Sequence, residues 1–466
     1  MNQQDLNNKL IAILGYGLEG KAVYNYLQRH GHQPVIFDHK AWENFSEADK
    51  TYIREKNINV VLGPDSFLEL KGFDVIFRSP GIRLAQVLPH LSKQAVITSQ
   101  TKWFFSLTPA KIIGVTGTKG KGTTSALIYK ILEHSLSSSS ADKSAVYLTG
   151  NIGLVQPLDI LDNLKPNDLV VYELSSFQLQ DLEQSPHIGV TLMVTSEHLD
   201  YHLNTEDYVK SKEAICKFQN SADVSIYNVD YPNSAKIGEQ GSGKKIFIST
   251  HKKIAPGAYI SDDRLVAVDD HGREENVIQI NALPLRGRHN LENICAAYCA
   301  VRAAGATNEA FVKTVQEFKG LEHRLEFVGE KRGVKYYNDS FSTTPETAIA
   351  AIKSFSEPLI IILGGSSKKA DFSELGKVVA GTPNLKAAIL IGSEGERIKA
   401  EILKNKNFAG QLLEGAQNMQ EIFEQAVSVA ASGDCVVLSP ACASFGMFEN
   451  YKDRGQQFKS KFEELK

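Results

Sequence analysis

The chain has 466 residues, 42% hydrophobic and 23% charged, with a formal net charge of -3. That length exceeds one ordinary core and points to roughly three domains, while the composition is that of a soluble globular protein. There is no global basic field to recruit nucleic acid, and no apolar run nears the roughly 20 residues of a membrane helix, so neither partner is expected.

In chain order, strands are expected at Leu10–Leu14, Val35–Phe37, Val75–Phe77, Lys111–Val115, Leu169–Leu174, Gly189–Val194, Val224–Tyr227, Lys245–Ile248, Val334–Tyr337, Leu359–Leu363, Ala387–Ile391 and Cys435–Leu438. Many are continuous apolar runs, the mark of parallel strands buried on both faces, and helical segments alternate with them. This predicts α/β layers with right-handed crossovers. Three blocks are expected, at 1–107, 108–320 and 321–466, with joints at Thr108-Pro109 and Lys319-Gly320. The run Ser135–Ser140 is expected to be a mobile loop after a helix. The opening residues, MNQQDLNNKL, lack a basic segment followed by an apolar one, which makes the cytoplasm the expected location. Five cysteines form no CxxC pair, and the odd count argues against a disulfide framework. Cys295 and Cys299, four apart, are expected to pack in a core, since two further zinc ligands at suitable spacing are missing.

The most specific motif is GVTGTKGKGTTSALI, Gly114 to Ile128. A strand meets a loop of Gly117, Thr118, Lys119, Gly120 and Lys121, and a helix follows. Glycines admit a phosphate close to the backbone, amides and a helix N-terminus point at it, and a lysine adds charge. In the usual phosphate loop a hydroxyl directly follows the lysine. Here Gly122 does, and Thr123 and Thr124 come one and two positions later.

Other motifs admit two readings each. GYGLEG (Gly15, Gly17, Gly20) follows the first strand, and Asp38 ends the next, the pattern of a dinucleotide fingerprint; a nucleotide-diphosphate substrate or an empty tight turn are the alternatives. Ser79-Pro80-Gly81 follows another strand, and the two turns together would make one anion pocket. Glu173 ends an apolar strand, where a carboxylate needs a cation. Glu197, His198 and Asp200 follow another, which makes Glu173 and His198 candidate magnesium ligands; an ordinary loop histidine is the bland alternative. Lys212 reads as a solvated lysine, Asn290 and Asn293 as helix capping, and Asp339 and Ser340 as caps of a Pro-started helix.

Taken together, these residues resemble the Mur ligase family of ATP-dependent amino-acid ligases. The likeness covers nearly the whole chain through the phosphate loop, LSSFQL, EHLD, SKEAI, GRHN, HRLE, NDS, GGSSKKADF and LSPACASF. It implies a Rossmann-like N-terminal domain holding UDP, a central P-loop ATPase-like domain and a Rossmann-like C-terminal domain bringing the amino acid. It implies UDP-N-acetylmuramoyl-L-alanine and glutamate as substrates, ATP, two magnesium ions, a monomer, and a role in peptidoglycan precursor synthesis. By resemblance, Gly15 to Gly20, Asp38, Ser79, Pro80, Gly81 and Asn151 contact the UDP-sugar, and Lys121 and Thr123 hold the phosphates. Thr123, Glu173, His198 and a carbamylated Lys212 serve magnesium. Asn290, Asn293, Arg324 and Asp339 surround the nucleotide, and Thr343, Lys368, Ser444 and Phe445 position glutamate.

Phe341 departs from the pattern, because a lysine often follows NDS in the branch that adds D-glutamate; NDSFSTTPE also resembles a branch that adds L-glutamate. Folylpolyglutamate synthase shares the GKG-plus-hydroxyl loop, but about a hundred residues precede the loop here. A nicotinamide oxidoreductase would leave the phosphate loop unexplained, and a non-catalytic nucleotide binder would need neither Lys212 nor Asp339.

Overall fold

A computed structural model describes residues 3–137, 144–152, 155–198, 201–367, 370–405 and 408–465. Its strands form three sheets. The first holds β1 (Ile11–Leu14), β2 (Val35–Asp38), β3 (Val60–Leu62), β4 (Val75–Arg78) and β5 (Val96–Thr98) in the order β3-β2-β1-β4-β5, all parallel. The second holds β6 (Lys111–Thr116), β7 (Val146–Gly150), β8 (Leu169–Glu173), β9 (Ile188–Thr191), β10 (Val224–Asn228), β11 (Lys244–Ser249), β12 (Gly257–Ser261), β13 (Arg264–Val268) and β14 (Glu274–Gln279), in the order β14-β13-β12-β11-β10-β9-β6-β8-β7. The third holds β15 (Glu326–Lys331), β16 (Val334–Asn338), β17 (Leu359–Gly364), β18 (Leu385–Ile391), β19 (Gln411–Leu413) and β20 (Cys435–Leu438), in the order β15-β16-β20-β17-β18-β19.

The central strands β1, β4, β17 and β20 are buried along their whole length, as expected of apolar runs, with Arg78 at the end of β4 the one charged residue among them. The sheets are not parallel throughout. β12, β13 and β14 form an antiparallel meander, and β15 pairs antiparallel with β16. β14 and β15 are part-exposed and carry charged residues, and β3, β5 and β19 are only three residues long, so continuous apolarity does not reveal them; β12, β13 and β7 are short and are missed although apolar in part. The run GVTLMV is strand only to Thr191, where the chain turns into the loop leading to His198.

By contacts the chain forms two compact units, 1–279 with 292–314, and 280–291 with 315–466. The first two sheets therefore share one unit, and the segment carrying Gly287 and Asn290 belongs with the third. The helix after the phosphate loop runs from Lys121 to Ser137, which absorbs the start of the serine run; residues 138–143 lie outside the described set. The five cysteines are buried and free, in agreement with core packing. Among the described residues no helix is long and apolar enough to cross a membrane.

Candidate active site

The first unit encloses a cavity of about 590 Å³ at the carboxyl ends of strands from both its sheets. Gly17, the Ser79-Pro80-Gly81 turn, Lys121, Asn151, His198 and Lys212 all line it. Register explains the convergence. β6 leads into the phosphate loop and lies between β8 and β9, pairing Val115 with Glu173 and Thr116 with Thr191. Glu173 thus ends its strand beside the loop, only 6% exposed.

The loop itself depends on glycine. Gly120 sits at φ +89°, and a Cβ there would meet the Asn293 side-chain oxygen at 2.2 Å. Asn293 is locked against the loop by a bond from the Thr124 hydroxyl, 3.2 Å. Lys121 Nζ donates to the carbonyl oxygens of Gly117 and Thr118, 3.0 Å each. Lys119 pairs with Glu197 at 2.8 Å. Thr118 is held by Tyr208 at 3.0 Å and by the Thr195 amide. The Thr124 hydroxyl is thus engaged by Asn293, and Thr123, which follows Gly122, is buried beside it.

Lys212 is not the solvated lysine its sequence context suggests. It is 1% exposed, with Nζ 3.3 Å from the Gly117 carbonyl and 4.7 Å from the centre of the Tyr208 ring. Burial, together with the charge of Lys121, drives its amine well below the usual lysine range, against the pull of Glu197. Burial would raise Glu197, but the bond from Lys119 and the charges of Lys119, Lys121 and His198 keep it below its ordinary value. His198 takes the left-handed backbone, φ +57°, a conformation that costs a non-glycine residue energy and turns its ring toward Phe177, 4.9 Å away. Asp200 lies outside the described residues.

Among the described residues no three His, Cys, Asp or Glu gather into a metal cage. The donors present suit magnesium nonetheless: the Glu173 carboxylate and Thr123 hydroxyl flank a phosphate loop, where substrate phosphates and water complete the shell of a hard cation.

The two glycine turns of the first sheet do meet. A Cβ on Gly15 would lie 3.0 Å from Ser79 Oγ, and Gly20 has no room for one, with the Gly15 carbonyl 1.9 Å away. The Ser79–Gly81 turn is braced by buried Arg78, which donates to Pro80 and Ile82 carbonyls and pairs with Asp181 at 2.8 Å, and by Tyr201, whose hydroxyl donates to Pro80. Asp38 accepts from the Tyr16 amide at 2.7 Å, which holds the glycine turn, and from the Lys40 amide at 2.8 Å in its own loop.

In the second unit, Asp339 accepts from Ser439 Oγ at 2.7 Å and from the Leu325 amide at 3.1 Å. Burial pushes its carboxyl up to about 7 against those bonds and the charge of Arg324. The Arg324 guanidinium lies 4.0 Å over the Phe341 ring, and Phe341 meets Tyr451 edge-on at 5.0 Å. Ser340, beside Asp339, accepts from buried Arg454, which also donates to the Cys442 carbonyl and so ties the NDS turn to LSPACASF. Asn290 donates through its side-chain amide to the Arg286 carbonyl, just before the helix Arg288–Ala303, a bond that ties down the helix start without capping its free amides. Ser444 is buried, Thr343 is part-buried, and Phe445 is 64% exposed on a separate cavity of about 360 Å³ beside Gly392 and Glu414. Lys368 lies outside the described residues. Arg78, Arg454, Tyr208, Glu19 and Gln100 are polar or charged residues that sequence reasoning missed. A carboxylate inside a GxGxxG turn was the available signal for Glu19.

Comparison with known proteins identifies the family. Residues 115–301 match the Mur ligase middle domain, and residues 323–442 match the Mur ligase glutamate ligase domain. The chain is 36% identical over 462 residues, 98% of its length and 97% of the relative's, to the UDP-N-acetylmuramoylalanine--D-glutamate ligase of Clostridium kluyveri. It is 34% identical, over 98% and 97%, to the protein of that name from Acetivibrio thermocellus. The UDP-N-acetylmuramate-alanine ligase MurC of Thermotoga maritima shares the fold, with a TM-score of 0.57, 16% identity, and coverage of 98% of this chain and 100% of its own. The chain belongs to the Mur ligase family, whose fold and phosphate loop it carries. The Clostridium kluyveri and Acetivibrio thermocellus relatives, each matched over 98% of this chain, bear the name of the D-glutamate-adding ligase.

Proposed function

We propose that this protein is an ATP-dependent ligase that joins D-glutamate to UDP-N-acetylmuramoyl-L-alanine through an acyl phosphate, in peptidoglycan precursor synthesis. The observation that carries the reading is the gathering of Lys121, His198 and buried Lys212 with the Ser79–Gly81 turn around one cavity. The near full-length likeness to D-glutamate ligases supports the choice of substrates over folate.

The chemistry follows from charge. A substrate carboxylate attacks the γ-phosphate of ATP, and ADP leaves. The amine of glutamate then attacks the acyl carbon, phosphate departs, and the amine proton is lost. Lys121, freed from its two loop carbonyls, faces the phosphates; Asn293 and the glycines keep the loop in shape. Magnesium, at two sites, would be held by Thr123, Glu173, His198 and Lys212, and would offset the charge between two approaching anions. A neutral buried amine is the form that adds carbon dioxide, releasing a proton and leaving a carbamate, so the environment of Lys212 supports its conversion to an anionic ligand. Asn290, Arg324 and Asp339 would serve the nucleotide, and Thr343, Lys368, Ser444 and Phe445 the amino acid. The three domains would be 1–107, 108–320 and 321–466. The protein would act as a cytoplasmic monomer.

The test is phosphate release from ATP and magnesium with D- and L-glutamate in separate reactions. Release is expected only when UDP-N-acetylmuramoyl-L-alanine and D-glutamate are both present. Equal or greater turnover with L-glutamate would correct the stereochemistry, and turnover with folate plus glutamate alone would overturn the reading.

A further inference from the structure

The wall of the main cavity holds polar groups with no partner and no assigned role. Gln100, in the first turn of the helix Gln100–Leu107, is 1% exposed, and neither its Oε1 nor its Nε2 makes a hydrogen bond. Glu19, in the first turn of the helix Leu18–Arg29, has a buried Oε2 that is also unpartnered. Both residues line the cavity. Leaving a buried polar atom unpaired costs about 1–3 kcal/mol, so three of them in one wall mark a place where a ligand supplies the partners.

The neighbours define what that ligand must offer. The Ser175 amide and hydroxyl both donate to Gln178 Oε1, 3.0 Å each, which fixes the amide so that Nε2 donates to Glu19 Oε1 at 2.8 Å. Oε1 is thus an acceptor already satisfied, and Oε2 is the oxygen left to carry a proton. The same helix has Gly17 as its N-cap with no side-chain cap, so its first amides are open to an anion. A charged carboxylate there would repel the phosphates of a nucleotide-linked substrate, whereas a carboxylic acid donates to them.

We propose that Glu19 and Gln100 are specificity-determining residues for the UDP-linked substrate: Glu19 donates through its carboxyl proton to an acceptor oxygen of the diphosphate–sugar portion, and Gln100 adds a donor and an acceptor beside it. The proposal rests on the functional reading above. The surroundings favour the protonated acid. Burial pushes the Glu19 carboxyl up to about 7, against the Gln178 bond and the charge of Arg78. Arg78, facing it from β4, is committed to Asp181 and the Ile82 carbonyl. Tyr172, facing it from β8, is neutral, its hydroxyl shared with Thr101. Gln178 is the uncharged group on the third side.

The experiment is calorimetric binding of UDP-N-acetylmuramoyl-L-alanine to the full chain from pH 6 to 9. Wild-type affinity is expected to fall above about pH 7, approaching tenfold per pH unit as the acid ionises. Glu19→Gln, which keeps a donor but cannot ionise, is expected to bind well and to lack that fall. Gln100→Met is expected to raise the KM of the UDP-substrate several-fold, with the KM values for ATP and glutamate unchanged. Thermal melting checks that each variant folds. A wild-type affinity flat across the range, or a Glu19→Gln profile that falls like the wild type, overturns this proposal alone. No binding by the wild type at any pH overturns the functional reading instead.

Discussion

The phosphate-loop region and the second unit arrange their candidate residues differently. Around the phosphate loop the expected residues converge: Lys121, Asn151, His198, Lys212 and the Ser79–Gly81 turn line one cavity. In the second unit they spread. Asp339 and Ser444 are buried in the frame, Phe445 is exposed on another cavity, and Arg324 lies over Phe341. A polyphosphate site is written locally, because strand, glycine loop and helix N-terminus are consecutive in sequence and their order fixes the geometry. An amino-acid site made from single side chains on separate loops has no such local grammar.

Six substitutions put that contrast at risk. The largest effect is expected from Lys121→Ala, a loss of about 10³-fold or more in kcat/KM by phosphate release, because its ammonium, held at two loop carbonyls, is the charge offered to the γ-phosphate. Lys212→Ala is expected to cost at least about 10²-fold and to recover in part with a small added carboxylate. A wild-type rate would remove the carbamate from the mechanism. Thr123→Ala is expected to cost roughly tenfold in magnesium-ATP turnover, and Gly122→Ser much less; the reverse order would show that the hydroxyl has been misplaced.

The smallest effect belongs to the second unit. Phe341→Ala removes the ring beneath Arg324 and is expected to raise the KM for ATP about two- to fivefold, the scale of an exposed cation–π contact. Asp339 adds a stability test with a definite sign. Its carboxyl titrates near 7 when folded and near 4 when unfolded, so between those values the folded chain holds a proton that the unfolded chain has lost. Its contribution to stability therefore falls as pH rises through that window, by up to about 1.4 kcal/mol per pH unit, and is constant above it. Urea denaturation of Asp339→Asn should show a flatter profile between pH 4 and 7 than the wild type; an identical slope would contradict the assignment.

The layered α/β fold was legible because its central strands are uninterrupted apolar runs, Leu359–Gly364 among them. The antiparallel β12–β14 meander was not, because charged Glu274 and Glu275 and short turns break the pattern. Of the residues in named motifs, Lys121, His198 and the Ser79–Gly81 turn line one cavity. Lys212 was assigned to the site by resemblance alone, since nothing on its own helix announces that Tyr208 and the phosphate loop will bury it. Arg78, Gln100 and Arg454 were missed for a related reason: their surroundings are assembled from residues distant in sequence. Glu19 was visible as an acid in an anion-binding turn but was passed over because glycine dominates that motif.

The central claim, that a substrate carboxylate is activated by phosphoryl transfer at this loop, is tested most directly by oxygen tracing. UDP-N-acetylmuramoyl-L-alanine labelled with ¹⁸O in its alanine carboxylate is incubated with the protein, ATP, magnesium and D-glutamate, and the released phosphate is analysed by mass. One labelled oxygen in each phosphate is the expected result. Release of unlabelled phosphate at the same rate as product would contradict the acyl phosphate and the role given to the loop.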